Sequence, residues 1–259
     1  YIDCENTIDI EWAKLLGVNV DELILMQPET ETAEQIFDVA LDFIDTGEIS
    51  LIVIDSLGVM VSAQQYAKTM EEKTYGGISM ALTLFSRKAI PLLARNKCTL
   101  IGINQMREDM NSQWGGQITT GGRAWRHNCS VRLLFRQSDY IDDRGASISK
   151  GSENPAGNLV KCSIIKTKIC RPDRKIGFYT LKYLEGIDYI SDTIDVAVKE
   201  GIIHQAGAWY SLVDSETGEI YTDEDKPVKF QGKANLKEFL QNNSDWLTKI
   251  NELIKVKIS

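Results

Sequence analysis

The chain has 259 residues, 43% of them hydrophobic and 25% charged, which is ordinary for a soluble globular protein and enough for one large or two smaller domains. Its net charge of -8 excludes a global basic signature, so any nucleic acid must be met at a local basic patch. The five cysteines form no CxxC pair and mostly sit in apolar runs, which favours buried thiols and a reducing, cytoplasmic setting. No apolar run approaches a membrane span, and no signal peptide is evident.

The chain opens on Tyr1-Ile-Asp-Cys4, which reads as a strand with Asp3 and Glu5 near its carboxyl end. It begins in mid-strand and without Met, so the N-terminal part of a longer protein is expected to precede it. Asp9 is an N-cap for a short helix, Ile10–Leu16, stopped by Gly17. Leu23–Met26 reads as a second strand. Thr32 and Gln35 form a capping box, followed by Ile36, Phe37, Ala40, Leu41 and Ile44 at helical spacing, with Gly47 as the stop. Leu51–Ile54 is a strand ending on Asp55-Ser56, where a carboxylate either caps the next helix or holds a Mg²⁺-bound water beside a nucleotide. This alternation argues a parallel sheet with crossover helices. After the polar stretch 61–75 and Gly76-Gly77, a long helix carries Ile78, Ala81, Leu82, Phe85, Ala89 and Leu92 on one face, and Pro91 should bend or break it.

The stretch Cys98–Arg136 organises the rest. Cys98–Ile103 reads as a buried central strand ending on Asn104-Gln105. Met106–Gln117 shows no periodicity and reads as a mobile polar loop, closed by Thr119-Thr120-Gly121-Gly122-Arg123, before the strand Val131–Phe135. Loops at the carboxyl ends of such strands are where open α/β sheets bind ligands. Gln105 both donates and accepts hydrogen bonds, so it can sense a ligand on the sheet side and pass that to the loop.

Beyond Arg136 a polar excursion, Gln137–Asn158, leads to antiparallel strands Leu159–Ile165 and Ile176–Tyr183. Lys166, Lys168, Arg171 and Arg174 lie between these strands, either as a solvated turn or as cations offered to a phosphate on a neighbouring molecule. A boundary near Gly186–Ser191 precedes a helix, Asp192–Glu200, a strand, Ala208–Leu212, an acidic hairpin with Thr217-Gly218 at its tip, and two helices, Ala234–Leu240 and Ser244–Val256.

In order, Asp-x-Glu at the first strand, LIVIDS (Leu51–Ser56), INQ (Ile103–Gln105), TTGG (Thr119–Gly122), KTKI (Lys166–Ile169), GAWYS (Gly207–Ser211) and GKAN (Gly232–Asn235) resemble the RecA-type recombinases, nearest the bacterial branch. The resemblance implies an α/β fold: a RecA-like ATPase core over residues 1–188, with a central, mostly parallel sheet flanked by helices, and a small α+β C-terminal domain over 189–259. It implies ATP and Mg²⁺ as cofactors. Glu5 matches the carboxylate that activates the attacking water, Gln105 the γ-phosphate sensor, Asp9 and Trp12 the adenine surroundings, and Asp55 with Ser56 the Mg²⁺ side. Lys166 and Lys168 match lysines that reach a neighbour's ATP, and Arg126 and His127 match subunit-interface positions, His127 standing where an aromatic is usual. Tyr75, Arg87, Arg107, Gly121, Gly122 and Arg123 are the implied DNA-binding residues. The implied activity is ATP-dependent filament formation on single-stranded DNA, with pairing to a homologous duplex and strand exchange, in homologous recombination and repair. The alternatives are a non-catalytic DNA-binding or assembly fragment and another ATPase on the same core, such as a ring helicase. No Gly-x-x-x-x-Gly-Lys-Ser/Thr stretch occurs in the chain, and the phosphate-cradling loop is expected before Tyr1.

Overall fold

The computed structural model describes residues 1–69, 71–72, 76–108, 116–143, 145–149, 154–169, 171, 175–214, 217–223 and 226–258. The chain forms two compact units, Tyr1–Arg132 with Lys166–Ile169, and Leu133–Ile165 with Cys170–Ser259.

The first unit is built on a parallel sheet in the order β1 (Ile2–Asp3), β2 (Leu51–Asp55), β3 (Thr99–Gly102). Between these strands run α1 (Ile10–Leu15), α2 (Ala33–Thr46), α3 (Ala63–Tyr66) and α4 (Gly77–Asn96). The caps read from the sequence are present. The Asp9 carboxylate accepts from the Trp12 amide at 3.0 Å, Gln35 reaches back to the Thr32 amide at 2.8 Å, and Gly47 ends α2 in the left-handed region. Ile36, Phe37, Ala40 and Ile44 of α2 and Ile78, Leu82, Phe85 and Ala89 of α4 bury one face of the sheet through Ile2, Ile52, Ile54 and Leu57. Phe37 and Phe85 stack at the centre with ring centroids 4.5 Å apart. Each such ring contributes about 1.5–3 kcal/mol by burial alone.

Several local readings change. Leu23–Met26 is not a strand: of its residues Met26 alone forms a bridge, to Ile2. The helix α4 runs unbroken through Pro91, which lies on its exposed side, where the carbonyl left without a donor can be hydrated. By length and composition α4 could cross a membrane, contrary to the expectation of no such run, yet it carries exposed Arg87 and Lys88 and packs its apolar face into the core. Among the described residues the run ending on Asn104-Gln105 pairs with β2 alone. Alternation puts Leu51, Val53, Ile101 and Ile103 on the sheet face away from α2 and α4, and there Leu51 is 50%, Ile101 46% and Ile103 40% exposed.

Past β3 the chain makes a hairpin, β4 (Met106–Glu108) against β5 (Gln117–Thr119), then α5 (Gly122–Asn128). The aperiodic loop expected over 106–117 therefore has two paired arms. Three-residue strands are too short to leave a period-2 signature in sequence.

The second unit holds an antiparallel sheet ordered β10 (Gly186–Ile187), β9 (Ile176–Lys182), β8 (Gly157–Thr167), β6 (Val131–Ile141), β7 (Ser147–Ile148), with the first residues of β6 and the last of β8 belonging to the first unit. The strand expected at Val131–Phe135 thus continues six residues further. A second cluster follows: α6 (Tyr189–Lys199), a sheet of β11 (Ile203–Ala206), β12 (Trp209–Leu212) and β15 (Lys229–Gln231), the short pair β13 (Thr222–Asp223) and β14 (Lys226–Pro227), and helices α7 (Lys233–Asn242) and α8 (Ser244–Ile258). Its core is Ile194, Ile202, Ile203, Leu212, Leu236, Leu240 and Ile250.

One acid in this unit is mismatched to its surroundings. Burial raises Asp192 to about 6, against the Thr180 amide that favours its charge, and Asp195 and Asp188 push it the same way as burial. Because the folded value lies above the unfolded one, the group's stabilising contribution is complete below about pH 4 and is lost as pH rises through about 6. Asp192→Asn should flatten this dependence and raise the unfolding midpoint at pH 7.5 but not at pH 4, as read by thermal denaturation.

Candidate active site and polynucleotide groove

The carboxyl ends of β1, β2 and β3 converge on Glu5. Asp3, 1% exposed, shapes the turn that carries it, accepting from the Ile8 amide at 2.9 Å and from Gln27 Nε2 at 3.1 Å. Burial alone would push the Asp3 carboxyl up. The hydrogen bonds from Ile8, Gln27, Thr7 and Glu5 outweigh burial and hold it below the usual carboxylate range. Asp3 thus keeps its charge and pins the loop, a role that sequence reading left unassigned.

Glu5 is gripped through one oxygen. Ser56 Oγ donates to Glu5 Oε1 at 2.5 Å, and Gln105 Nε2 donates to the same oxygen at 3.1 Å. Among the described residues nothing donates to Oε2. Two residues 51 and 100 positions beyond Glu5 therefore share one of its oxygens, and the other carboxylate oxygen is left to accept. Asp55 lies alongside, its Oδ2 accepting from the Tyr1 hydroxyl at 2.6 Å. Burial and that carboxylate push the Tyr1 phenol well above its ordinary value. Burial, helped by the charges of Asp3, Asp55 and Glu5, raises the Cys4 thiol to about 12, so Cys4 is no nucleophile here.

The donor set suits a hard cation held through water. Asp55 and Glu5 offer carboxylates and Ser56 a hydroxyl, and Mg²⁺ is characteristically held by one or two carboxylates plus substrate phosphates. Among the described residues no group of three or more His, Cys, Asp or Glu forms a self-sufficient metal site. Asp9 is occupied as the N-cap of α1, and Trp12 on that helix is half-buried.

Gln105 is the last residue before β4, so the contact to Glu5 sits at the root of the hairpin. Asn104 Nδ2 ties that root shut by donating to the Thr120 carbonyl at 2.8 Å, and Arg107 donates to the Gly58 carbonyl at 2.9 Å. Thr120 leads directly into Gly121 and α5. Gly121 is buried at φ 101°, and a Cβ there would lie 2.7 Å from Leu82 Cδ1. Its lack of a side chain thus serves packing against α4. Gly102 is similarly constrained, since a Cβ would lie 2.8 Å from the Trp125 ring and 2.9 Å from Leu57. Trp125 is thereby seated on the strand tip that carries Gln105, a link invisible in sequence.

Between α4 and α5 lies an open groove lined by Ser79, Met80, Thr83, Leu84, Arg87, Gly122 and Arg123. Arg87 and Arg123 are both exposed on it. The structure thus brings Arg87, Gly122 and Arg123 together. Arg107 stands apart from the groove residues, with one guanidinium nitrogen on Gly58, and Tyr75 lies outside the described residues. At the far end of α5, Arg126 turns back onto the Gly122 carbonyl at 3.1 Å and His127 is exposed. Lys166 Nζ donates to the carbonyls of Arg126 at 2.8 Å and His127 at 2.6 Å, whereas Lys168 is exposed and only grazes the Asn128 carbonyl at 3.5 Å.

The family model for the RecA N-terminal domain matches residues 1–188. Protein RecA of Paracoccus denitrificans is 30% identical over 256 residues, covering 98% of this chain and 65% of the relative. Protein RecA of Clostridioides difficile (strain 630) is 33% identical over 256 residues, covering 98% and 67%, and Protein RecA of Cereibacter sphaeroides is 32% identical over 244 residues, covering 94% and 64%. The chain thus spans about two thirds of the length of the curated relatives it matches. A crystal structure of the RadB recombinase aligns with a TM-score of 0.49 at 17% identity, over 72% of this chain and 76% of that one.

Proposed function

This chain belongs to the RecA family, and we propose that it carries the water-activating, sensing and DNA-gripping parts of a DNA-dependent ATPase of homologous recombination and repair. In this reading the protein assembles as a filament on single-stranded DNA and pairs that strand with a homologous duplex. The observation that carries it is the shared oxygen of Glu5. The carboxylate best placed to activate water is held by the one side chain, Gln105, from which the hairpin leading to the groove departs.

Bound Mg–ATP would supply the γ-phosphoryl electrophile. On the side of this chain, Asp55 and Ser56 would hold the cation through water, and Glu5 would orient and deprotonate the attacking water with Oε2. Asp9 and Trp12 would lie near the base. Gln105 would leave Glu5 for a phosphate oxygen, and the hairpin rooted at Asn104 and Thr120 would move with it. In the groove, Arg87 and Arg123 would take backbone phosphates, with Gly122 allowing close approach; Arg107 of β4 and Tyr75 are further candidate contacts. Lys168 and, once released from the α5 carbonyls, Lys166 would face a neighbouring subunit's phosphates, with Arg126 and His127 at the same interface. Residues 1–188 would form the ATPase core and 189–259 a C-terminal domain; the second hydrophobic cluster, wholly beyond 188, supports the latter, while the two compact units divide within β6 and β8. The free thiols of Cys4, Cys98, Cys129 and Cys162 suit a cytoplasmic setting.

The absence of a phosphate-loop motif from the 259 residues favours a second reading, in which this chain acts as a polynucleotide-binding module and other residues complete the nucleotide site. Both readings require the groove. Binding of fluorescent oligo(dT), followed by anisotropy across a salt series, should be sequence-tolerant. Arg87→Ala and Arg123→Ala should each weaken it and reduce the magnitude of the log–log salt slope by about 0.7, the contribution of one single-strand phosphate contact. Unchanged slopes in both variants would place the polynucleotide elsewhere.

A further inference from the structure

We propose that Lys166 is a positioning residue of its own subunit: its ammonium caps the C-terminal end of α5 and, through that helix, sets the Gly122–Arg123 end that lines the groove. The inference rests on the groove reading for its consequence but not for its geometry. The helix α5 has seven residues, too few to persist without tertiary support. Its last carbonyls have no partner within the helix, and its C-terminal end carries the negative pole of the backbone dipoles. Lys166 answers both needs, donating to the carbonyls of two consecutive residues, Arg126 and His127, at 2.8 and 2.6 Å. The backbone reinforces the attachment, since the Lys168 amide donates to the Ser130 carbonyl at 2.8 Å, just past the helix end.

Among the described residues no carboxylate pairs with Lys166, so carbonyl oxygens meet its charge. Burial, then the neighbouring charge of Lys168, holds its ammonium below the usual lysine value. A lysine suits the task because its three donors rotate on a long stem and can serve adjacent carbonyls at once. Lys168 differs in each respect: exposed, with one contact at the outer limit of a hydrogen bond. The pair that looks equivalent in sequence is therefore divided, one lysine turned inward onto its own helix and one presented outward. At the opposite end of α5, Gly122 and Arg123 stand in the groove beside Arg87, so freeing the C-terminal end would loosen the N-terminal end as well.

The test compares Lys166→Met, Lys166→Arg and Lys168→Met in this chain, by amide hydrogen exchange and by oligo(dT) anisotropy. Loss of two charge-assisted hydrogen bonds should speed exchange of the amides from Arg126 to Cys129 by about tenfold or more in Lys166→Met. It should also weaken oligo(dT) binding several-fold. Lys166→Arg should restore both, and Lys168→Met should leave α5 exchange unaltered. If Lys166→Met does not fold, Lys166→Arg and Lys168→Met decide: α5 protection must survive in both. Unchanged α5 exchange in folded Lys166→Met, or the same acceleration in Lys168→Met, overturns the proposal. A wild-type chain that fails to bind oligo(dT) would overturn the groove reading while the exchange comparison still decides the role of Lys166.

Discussion

Glu5→Gln should lower DNA-stimulated ATP turnover by about 10²–10⁴-fold when this chain is continued N-terminally by the corresponding segment of a relative that carries a phosphate-cradling glycine loop. The geometry allows a clean comparison. An amide at position 5 keeps an oxygen that can still accept from Ser56 Oγ and Gln105 Nε2, so the grip at 2.5 and 3.1 Å can persist. What disappears is the basic second oxygen. Oligo(dT) affinity, which depends on the groove between α4 and α5, should stay close to that of the parent. Turnover that survives intact would remove Glu5 from the role of base, and a parallel collapse of oligonucleotide binding would show that the substitution had unseated the hairpin.

The largest effect on stability is expected in the second unit, at Gly157. It pairs with Lys182 across β8 and β9, and a Cβ placed on it would lie 2.2 Å from the Leu181 carbonyl oxygen and 2.9 Å from the Lys182 Cα. Both obstacles are backbone, so relief requires the two strands to part rather than a side chain to turn. Gly157→Ala should therefore cost on the order of 3 kcal/mol, the upper end for overpacking a tight site. Gly177, on the facing strand β9, has nothing among the described residues within 4 Å of its hypothetical Cβ. Gly177→Ala should be nearly neutral or slightly stabilising, because it restricts the unfolded chain. Urea unfolding of the two variants gives the comparison, and similar midpoints would refute the steric account.

The sequence and the structure agree most closely where the information is local. The Asp9 cap, the Thr32–Gln35 box, the Gly47 stop and the strand before Asp55 depend on neighbours a few positions away, and each is present. Glu5, Ser56 and Gln105 were legible as strand-end residues and through family resemblance, but their convergence on one oxygen was not. What the sequence alone does not show turns on a distant partner. A short apolar run such as Cys98–Ile103 looks the same whether or not both faces of its sheet are covered. The inward turn of Lys166 depends on carbonyls about forty positions away. The glycine requirement at 102 depends on where Trp125 comes to rest. Asp3 read as one of two strand-end acids, and its hydrogen bonds to Ile8 and Gln27 make it the support of the other.

The outer face of the parallel sheet, on which Leu51, Ile101 and Ile103 are exposed, bears on how this chain behaves in bulk solution. Parallel sheets are ordinarily sheltered on both sides, and here water must wet aliphatic side chains at the strand edge. Solutes that are excluded from protein surfaces, sulfate and phosphate among them, raise the free energy of such wetting. The chain should consequently salt out earlier than its charge of -8 alone would suggest, and dilute chloride buffers should suit it better than the sulfate-rich solutions often chosen to steady a marginal fold.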